Sequence, residues 1–168
     1  EYLLNIANST FENWRRANSD KALDEFDFQL NKMSVSGALF DMVKLLDIGK
    51  TVISRMTAEE VYENSLKWAH EYNKELEKVL EDKEYALKVF GIERGNKKPR
   101  KDIAKWSDVM YNIEYMYDNL FYNKDVEYPY QVINDKEDVN KILRLYIDKY
   151  YNENDDKQTW FDRIKELA

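Results

Sequence analysis

The 168-residue sequence has no cysteine, one histidine, two prolines and four glycines. Without thiols it has no disulfide framework, no thiolate metal site and no cysteine nucleophile, which fits a cytoplasmic location. With so little Pro and Gly to punctuate turns, the chain reads as helices. No apolar run approaches the roughly 18–20 residues that a membrane-spanning helix needs, so no membrane partner is expected. The lone histidine, His70 in KWAHEY, has no E-x-x-H or H-E-x-x-H spacing around it and reads as a surface or packing residue. No G-x-S-x-G turn or glycine-rich phosphate loop is present. The acid pairs Glu59/Glu60 and Asp155/Asp156 are adjacent in sequence, so they point in different directions and suit solvated faces better than acid–base catalysis. Catalytic residues, metal ligands and cofactors are therefore expected to be none in this chain.

What is there is a core-forming composition. Hydrophobic residues make up 43% and aromatic residues 14%, with thirteen tyrosines, enough for one ordinary core or two small units. The formal net charge of −7 argues against indiscriminate binding to nucleic acid or to an anionic membrane. Its distribution is uneven. Ile92 to Lys105 reads IERGNKKPRKDIAK, six basic residues against two acidic ones, whereas Asp125 to Ala168 holds eleven acids against seven bases. A cationic island on an acidic body can bind phosphates while the remainder discourages unselective adhesion.

Helical spacing runs through most of the chain. Ser9-Thr10-Phe11-Glu12 has the form of a capping box, followed by Phe11, Trp14 and Ala17 on one face. Phe26, Phe28 and Leu30 alternate as in a short extended piece. After the Ser36-Gly37 break, Leu39, Val43 and Leu46 predict a short helix. Thr57-Ala58-Glu59-Glu60 is a second capping box, with Val61, Tyr62, Leu66 and Ala69 inward. Asn73 is expected to cap the next helix, and a third runs from about Lys83 to Phe90, with Gly91 as its left-handed close. The longest helix is expected from Lys101 to Tyr122, on a stripe of Trp106, Val109, Met110, Ile113, Met116, Tyr117 and Leu120. Tyr128-Pro129 interrupts the chain. Asp135 to Tyr151 forms another helix with Val139, Ile142, Leu143 and Ile147 inward, NENDDK turns, and a last helix starts at Gln158. The class is all-α, a helical bundle preceded by a short helical segment.

The run Lys32-Met33-Ser34-Val35-Ser36-Gly37 is close to KMSKS, the ATP loop of class I aminoacyl-tRNA synthetases. That loop needs its second lysine against the leaving pyrophosphate, and valine supplies no charge there. No histidine precedes Lys32, so the HIGH-like partner run is missing as well. KMSVSG is not an active loop. Its surroundings are more informative. Met33 to Glu63, with Ala38-Leu39-Phe40-Asp41 and Lys44-Leu45, resembles a stretch of bacterial glutamyl-tRNA synthetases. Asn8 to Asn18 is similar to the helix before it, and Pro99 to Phe121 to a later helix, in the same order and spacing.

The resemblance implies a stem-contact segment at residues 1–54 and a helical anticodon-binding domain at residues 55–168. The chain, which starts at Glu1 in mid-pattern, is then expected to be a piece of a longer, monomeric ligase that is truncated at Ala168. The parent would join glutamate to its tRNA with ATP and Mg²⁺. This piece would lack the catalytic domain, be inactive alone and hold glutamate-accepting tRNA. The expected tRNA-binding residues are Arg94, Lys97, Lys98, Arg100, Lys101 and Lys105, with Lys44 and Lys32 in the stem-contact segment. Such cations position a phosphate backbone without reading its bases. Trp106 and Tyr111 could stack on bases, although Trp106 also belongs to the apolar stripe. The rival reading is a free-standing helical module that binds a protein partner through its many aromatic residues.

Overall fold

The computed structural model describes residues 1–122 and 135–167, and it is all-α, as expected. Among the described residues the one isolated β-bridge joins Asn8 and Met33 in antiparallel sense. The chain divides into two compact units, Glu1–Lys124 and Asp125–Ala168. The Tyr128-Pro129 interruption lies outside the described residues.

The first unit opens with α1 (Tyr2–Ala7) and α2 (Phe11–Ala17). The capping box expected at Ser9–Glu12 does not form. Thr10, not Ser9, is the N-cap, and its backbone is already in the right-handed region at φ −107°, ψ −17°. Asn8 satisfies the turn instead, its Oδ1 accepting from the Thr10 amide at 3.0 Å and the Thr10 hydroxyl at 2.9 Å. Ser9 Oγ donates to the Lys32 carbonyl, and Glu12 turns to Arg16 and Lys44. A small aromatic cluster forms where Phe11, fully buried, meets Phe26 edge-on at 4.9 Å. The Arg15 guanidinium covers the Trp14 ring at 4.8 Å. Of the alternating stretch, Phe26 and Phe28 lie in a non-helical segment between two 3₁₀ turns, Leu23–Glu25 and Leu30–Lys32, and Leu30 begins the second turn.

Helix α3 (Met42–Arg55) begins later than the apolar spacing predicts, because Asp41 is its N-cap and accepts from the Lys44 amide at 3.0 Å. Leu39 therefore lies outside the helix, and both Leu39 and Val43 are exposed rather than inward. Helix α4 (Ala58–Tyr72) starts on the expected capping box, the Thr57 amide donating to Glu60 Oε2 at 2.7 Å and the Glu60 amide to Thr57 Oγ1 at 3.1 Å. Asn73 caps α5 (Lys74–Val79), and Asp82 caps α6 (Lys83–Gly91).

Val61 and Ala69 of α4, Leu76 of α5 and Phe90 of α6 meet with no exposed surface, together with Leu80. Burying side chains of this size contributes about 1.5–3 kcal/mol each, so α4 is the centre around which the unit is held. His70 is at the surface, its Nδ1 2.6 Å from Glu77 Oε1.

The single helix expected over Lys101–Tyr122 is broken. Residues 101–105 are loop, and a 3₁₀ turn (Trp106–Asp108), α7 (Val109–Ile113), a second 3₁₀ turn (Glu114–Met116) and α8 (Asp118–Phe121) follow. The stripe nonetheless faces the core. Val109 and Ile113 are buried, with Trp106, Met110, Met116 and Tyr117 packed on the cluster. The break at Tyr117 has a tertiary cause. Its backbone is extended, and the Met116 carbonyl accepts the Tyr85 hydroxyl at 2.5 Å.

In the second unit, α9 (Lys136–Leu145) runs into a π turn (Tyr146–Tyr150), and α10 (Lys157–Leu167) follows. Ile142, Leu143 and Ile147, expected inward, are exposed, and Val139 is half-buried. The two helical pieces meet through polar contacts as well as apolar ones. Trp160 Nε1 donates to the Tyr146 hydroxyl at 2.7 Å, and Arg163 Nε pairs with Asp155 at 3.0 Å. Among the described residues no helix is long and apolar enough to cross a membrane.

Candidate nucleic-acid interface

The basic stretch is a strap laid along α3 and tied down at both ends. Gly91 closes no left-handed turn, contrary to expectation; Glu93, at φ 57°, takes the left-handed conformation, followed by Gly95 at φ 79°. A side chain at positive φ is uncommon and costs energy unless its surroundings hold it. Here the Arg100 amide donates to the Glu93 carbonyl at 3.1 Å and closes the loop. At the far end Ile103 is buried in the main core, and the Ala104 carbonyl lies so close to Gly49 of α3 that a Cβ there would strike it. Lys101 Nζ donates to Thr51 Oγ1 at 3.1 Å, a further tie to α3.

The expected cations divide into those that are engaged and those that are presented. Arg94 points inward: Nε donates to the Phe90 carbonyl at 2.9 Å, and Nη1 to the carbonyls of Ile53 at 2.7 Å and Met56 at 3.3 Å. Burial foremost, and then the charge of Arg100, lower its pKa from the ordinary value, partly offset by Asp102. Arg100 lies 2.7 Å from Asp102, and its Nη2 is buried without a hydrogen-bond partner among the described residues. Lys105 lies 3.7 Å from Asp108 and Lys44 3.4 Å from Glu12. Lys97 and Lys98 are exposed, and neither forms an ion pair among the described residues. Lys32 is exposed in its 3₁₀ turn, away from the strap in sequence.

An open cleft of about 1460 Å³ runs between the strap, the α3–α4 corner and the segment after α2. Seven cationic side chains line it against three acidic ones. Lys97, Lys98, Lys101 and Arg94 come from the strap and its edges, while Arg15, Lys21 and Arg55 come from elsewhere. Two of the acids are already used. Glu1 bridges Arg15 at 3.0 Å and Arg55 at 2.6 Å, and Glu60 is turned into the α4 cap. Arg55 thus pairs with Glu1 and also donates to the Ser19 carbonyl. No local pattern brings Lys21, which lies 3.8 Å from Glu25, together with Lys97; only the cleft that both line does so. Arg100, Lys105, Lys44 and Lys32 are not in its lining. Trp106 packs on the core, whereas Tyr111 is exposed.

The chain is 45% identical over 169 residues to the glutamate–tRNA ligase of Acetivibrio thermocellus and 46% identical over 172 residues to that of Clostridium perfringens. It is 44% identical over 170 residues to the enzyme of Sorangium cellulosum. Each match takes in 100% of the chain. The chain is homologous to a part of glutamate–tRNA ligases. It spans 29–31% of the length of these curated relatives. The resemblance to glutamyl-tRNA synthetases is thereby borne out along the whole chain, including the part after Phe121 for which no motif was singled out. No family model and no solved structure matches the chain. Among the described residues no group of three or more acids and histidines is arranged to hold a metal ion.

Proposed function

We propose that this chain is the tRNA-holding part of a glutamate–tRNA ligase, with a stem-contact segment at residues 1–54 and an anticodon-arm domain at residues 55–168. The observation that carries the reading is the similarity of its entire length to glutamate–tRNA ligases, at about one third of their length. The cleft supports it, since cations from both proposed regions line one concave surface. The partner is glutamate-accepting tRNA. Glutamate, ATP and Mg²⁺ belong to the catalytic part of the parent, a monomeric cytoplasmic enzyme, and the residues of this chain carry no step of that chemistry.

Phosphate binding releases counterions, so affinity falls with salt by about 0.7–0.9 logarithmic units per contact. Lys97, Lys98, Lys101 and Lys21 supply about four contacts and a slope of roughly −3. The test is a titration of glutamate-accepting tRNA with the chain between about 50 and 200 mM salt, a range over which such contacts weaken measurably. Weak, salt-dependent binding is expected, and lost in the Lys97→Glu/Lys98→Glu double variant. Binding that is undetectable at low salt, indifferent to salt or untouched by the double variant overturns the reading.

A further inference from the structure

The geometry points to Arg94 as the positioning residue of the cationic strap: its guanidinium fastens the root of the loop to the ends of two helices and so holds Lys97 and Lys98 in place for a phosphate-bearing ligand. The identity of that ligand rests on the tRNA-holding reading; the fastening does not.

Arg94 occupies an unusual position for a member of a basic island. Its three acceptors are the carbonyls of Phe90, near the end of α6, and of Ile53 and Met56, at the end of α3. Helix C-termini leave such carbonyls without intrahelical partners and carry partial negative charge. A planar guanidinium, always charged and with donors in a fixed fork, can span acceptors from two helices at once. No carboxylate pairs with it among the described residues, so its hydrogen bonds go into joining α3, α6 and the loop that follows α6.

The loop depends on that joint. Residues 95–98 make no hydrogen bond through their side chains among the described residues. Their path is set by the left-handed turns at Glu93 and Gly95, the Arg100–Glu93 backbone bond and the Arg94 anchor. A loop held this way presents its lysines with less ordering left to do on binding, which is a gain in affinity without an added contact.

The test compares Arg94→Lys and Arg94→Gln with the unaltered chain and with the Lys97→Glu/Lys98→Glu variant. Thermal unfolding, hydrogen exchange at the Arg100 amide, and tRNA affinity as a function of salt are measured on each. Both Arg94 variants are expected to unfold cooperatively at a lowered temperature and to exchange the Arg100 amide about tenfold faster. Their tRNA affinity is expected to fall about tenfold with the salt slope unchanged, because ordering is lost and no phosphate contact is. A slope shallower by about 0.7–0.9 makes Arg94 a direct phosphate contact and overturns the inference. So does full recovery by lysine, which would show that charge alone matters. Lowered melting with exchange and affinity unchanged reduces Arg94 to a structural role.

Should the variants not fold, two glycines inserted between Asn96 and Lys97 leave the anchor intact while uncoupling the lysines from it. The same loss of affinity at constant slope is expected, and unaltered affinity overturns the inference. If the unaltered chain shows no salt-dependent tRNA binding, the tRNA reading fails on its own, and Arg100 exchange decides the fastening separately.

Discussion

At the scale of single residues, two side chains show how surroundings set chemistry. Tyr117 lies half-buried with its ring edge-on to Tyr85 at 5.1 Å, and its hydroxyl has no partner among the described residues. Burial first, and then the neighbouring phenol, push its pKa from 10.0 up to about 12. The unfolded chain gives up this proton near pH 10, whereas the folded chain keeps it. The unfolded state therefore binds fewer protons between about pH 10 and about pH 12, and stability falls as pH rises through that window. In an ultraviolet-absorbance titration, Tyr117→Phe should remove a phenol that ionises at about 12. It should also flatten the alkaline loss of stability; an unchanged curve would contradict the assignment. Arg94 is the second case, a cation whose position in a basic run suggests a ligand contact and whose neighbours make it an anchor.

At the scale of elements, local signals succeed where a side chain can close its own turn. Thr57–Glu60 forms its reciprocal cap as its spacing predicts, and Thr57→Ala is expected to cost about 1 kcal/mol in urea unfolding. Ser9–Glu12 has the same capping-box form but loses to Asn8, which reaches both the amide and the hydroxyl of Thr10. The contact of α3 with the strap is a different matter. Gly49→Ala should destabilise by about 1–3 kcal/mol, since the new methyl meets a backbone carbonyl that is fixed by buried Ile103. A neutral or stabilised variant would mean that the strap can shift away from α3. The stripe from Trp106 to Leu120 identified the inward residues as far as Tyr117, but Leu120 is not part of the core cluster and the helix is not continuous. Facing depends on spacing, whereas the break depends on a Tyr85 hydroxyl 31 residues upstream of the Met116 carbonyl.

At the scale of the whole molecule, an acidic chain carries one cleft in which cations outnumber acids seven to three. Such a surface can hold a phosphate backbone. The chain by itself is expected to give background rates of glutamate-dependent ATP–pyrophosphate exchange. Exchange above background that survives repurification would put the catalytic chemistry inside these residues. The exposed faces of α9 and of the segment before α3 do not follow from their apolar spacing, because periodicity marks a face without specifying what covers it.

The sequence by itself determined the all-α class, the α4 cap, the inward face of the Trp106–Tyr117 stripe and the kinship with glutamate–tRNA ligases. These depend on spacing within a few turns or on resemblance along the chain. Only the tertiary structure decided which cations are presented, that Arg94 serves as an anchor, and that Lys21 faces the same cleft as Lys97. Charge is written in the sequence, but its availability depends on which carbonyls and carboxylates the fold brings within reach.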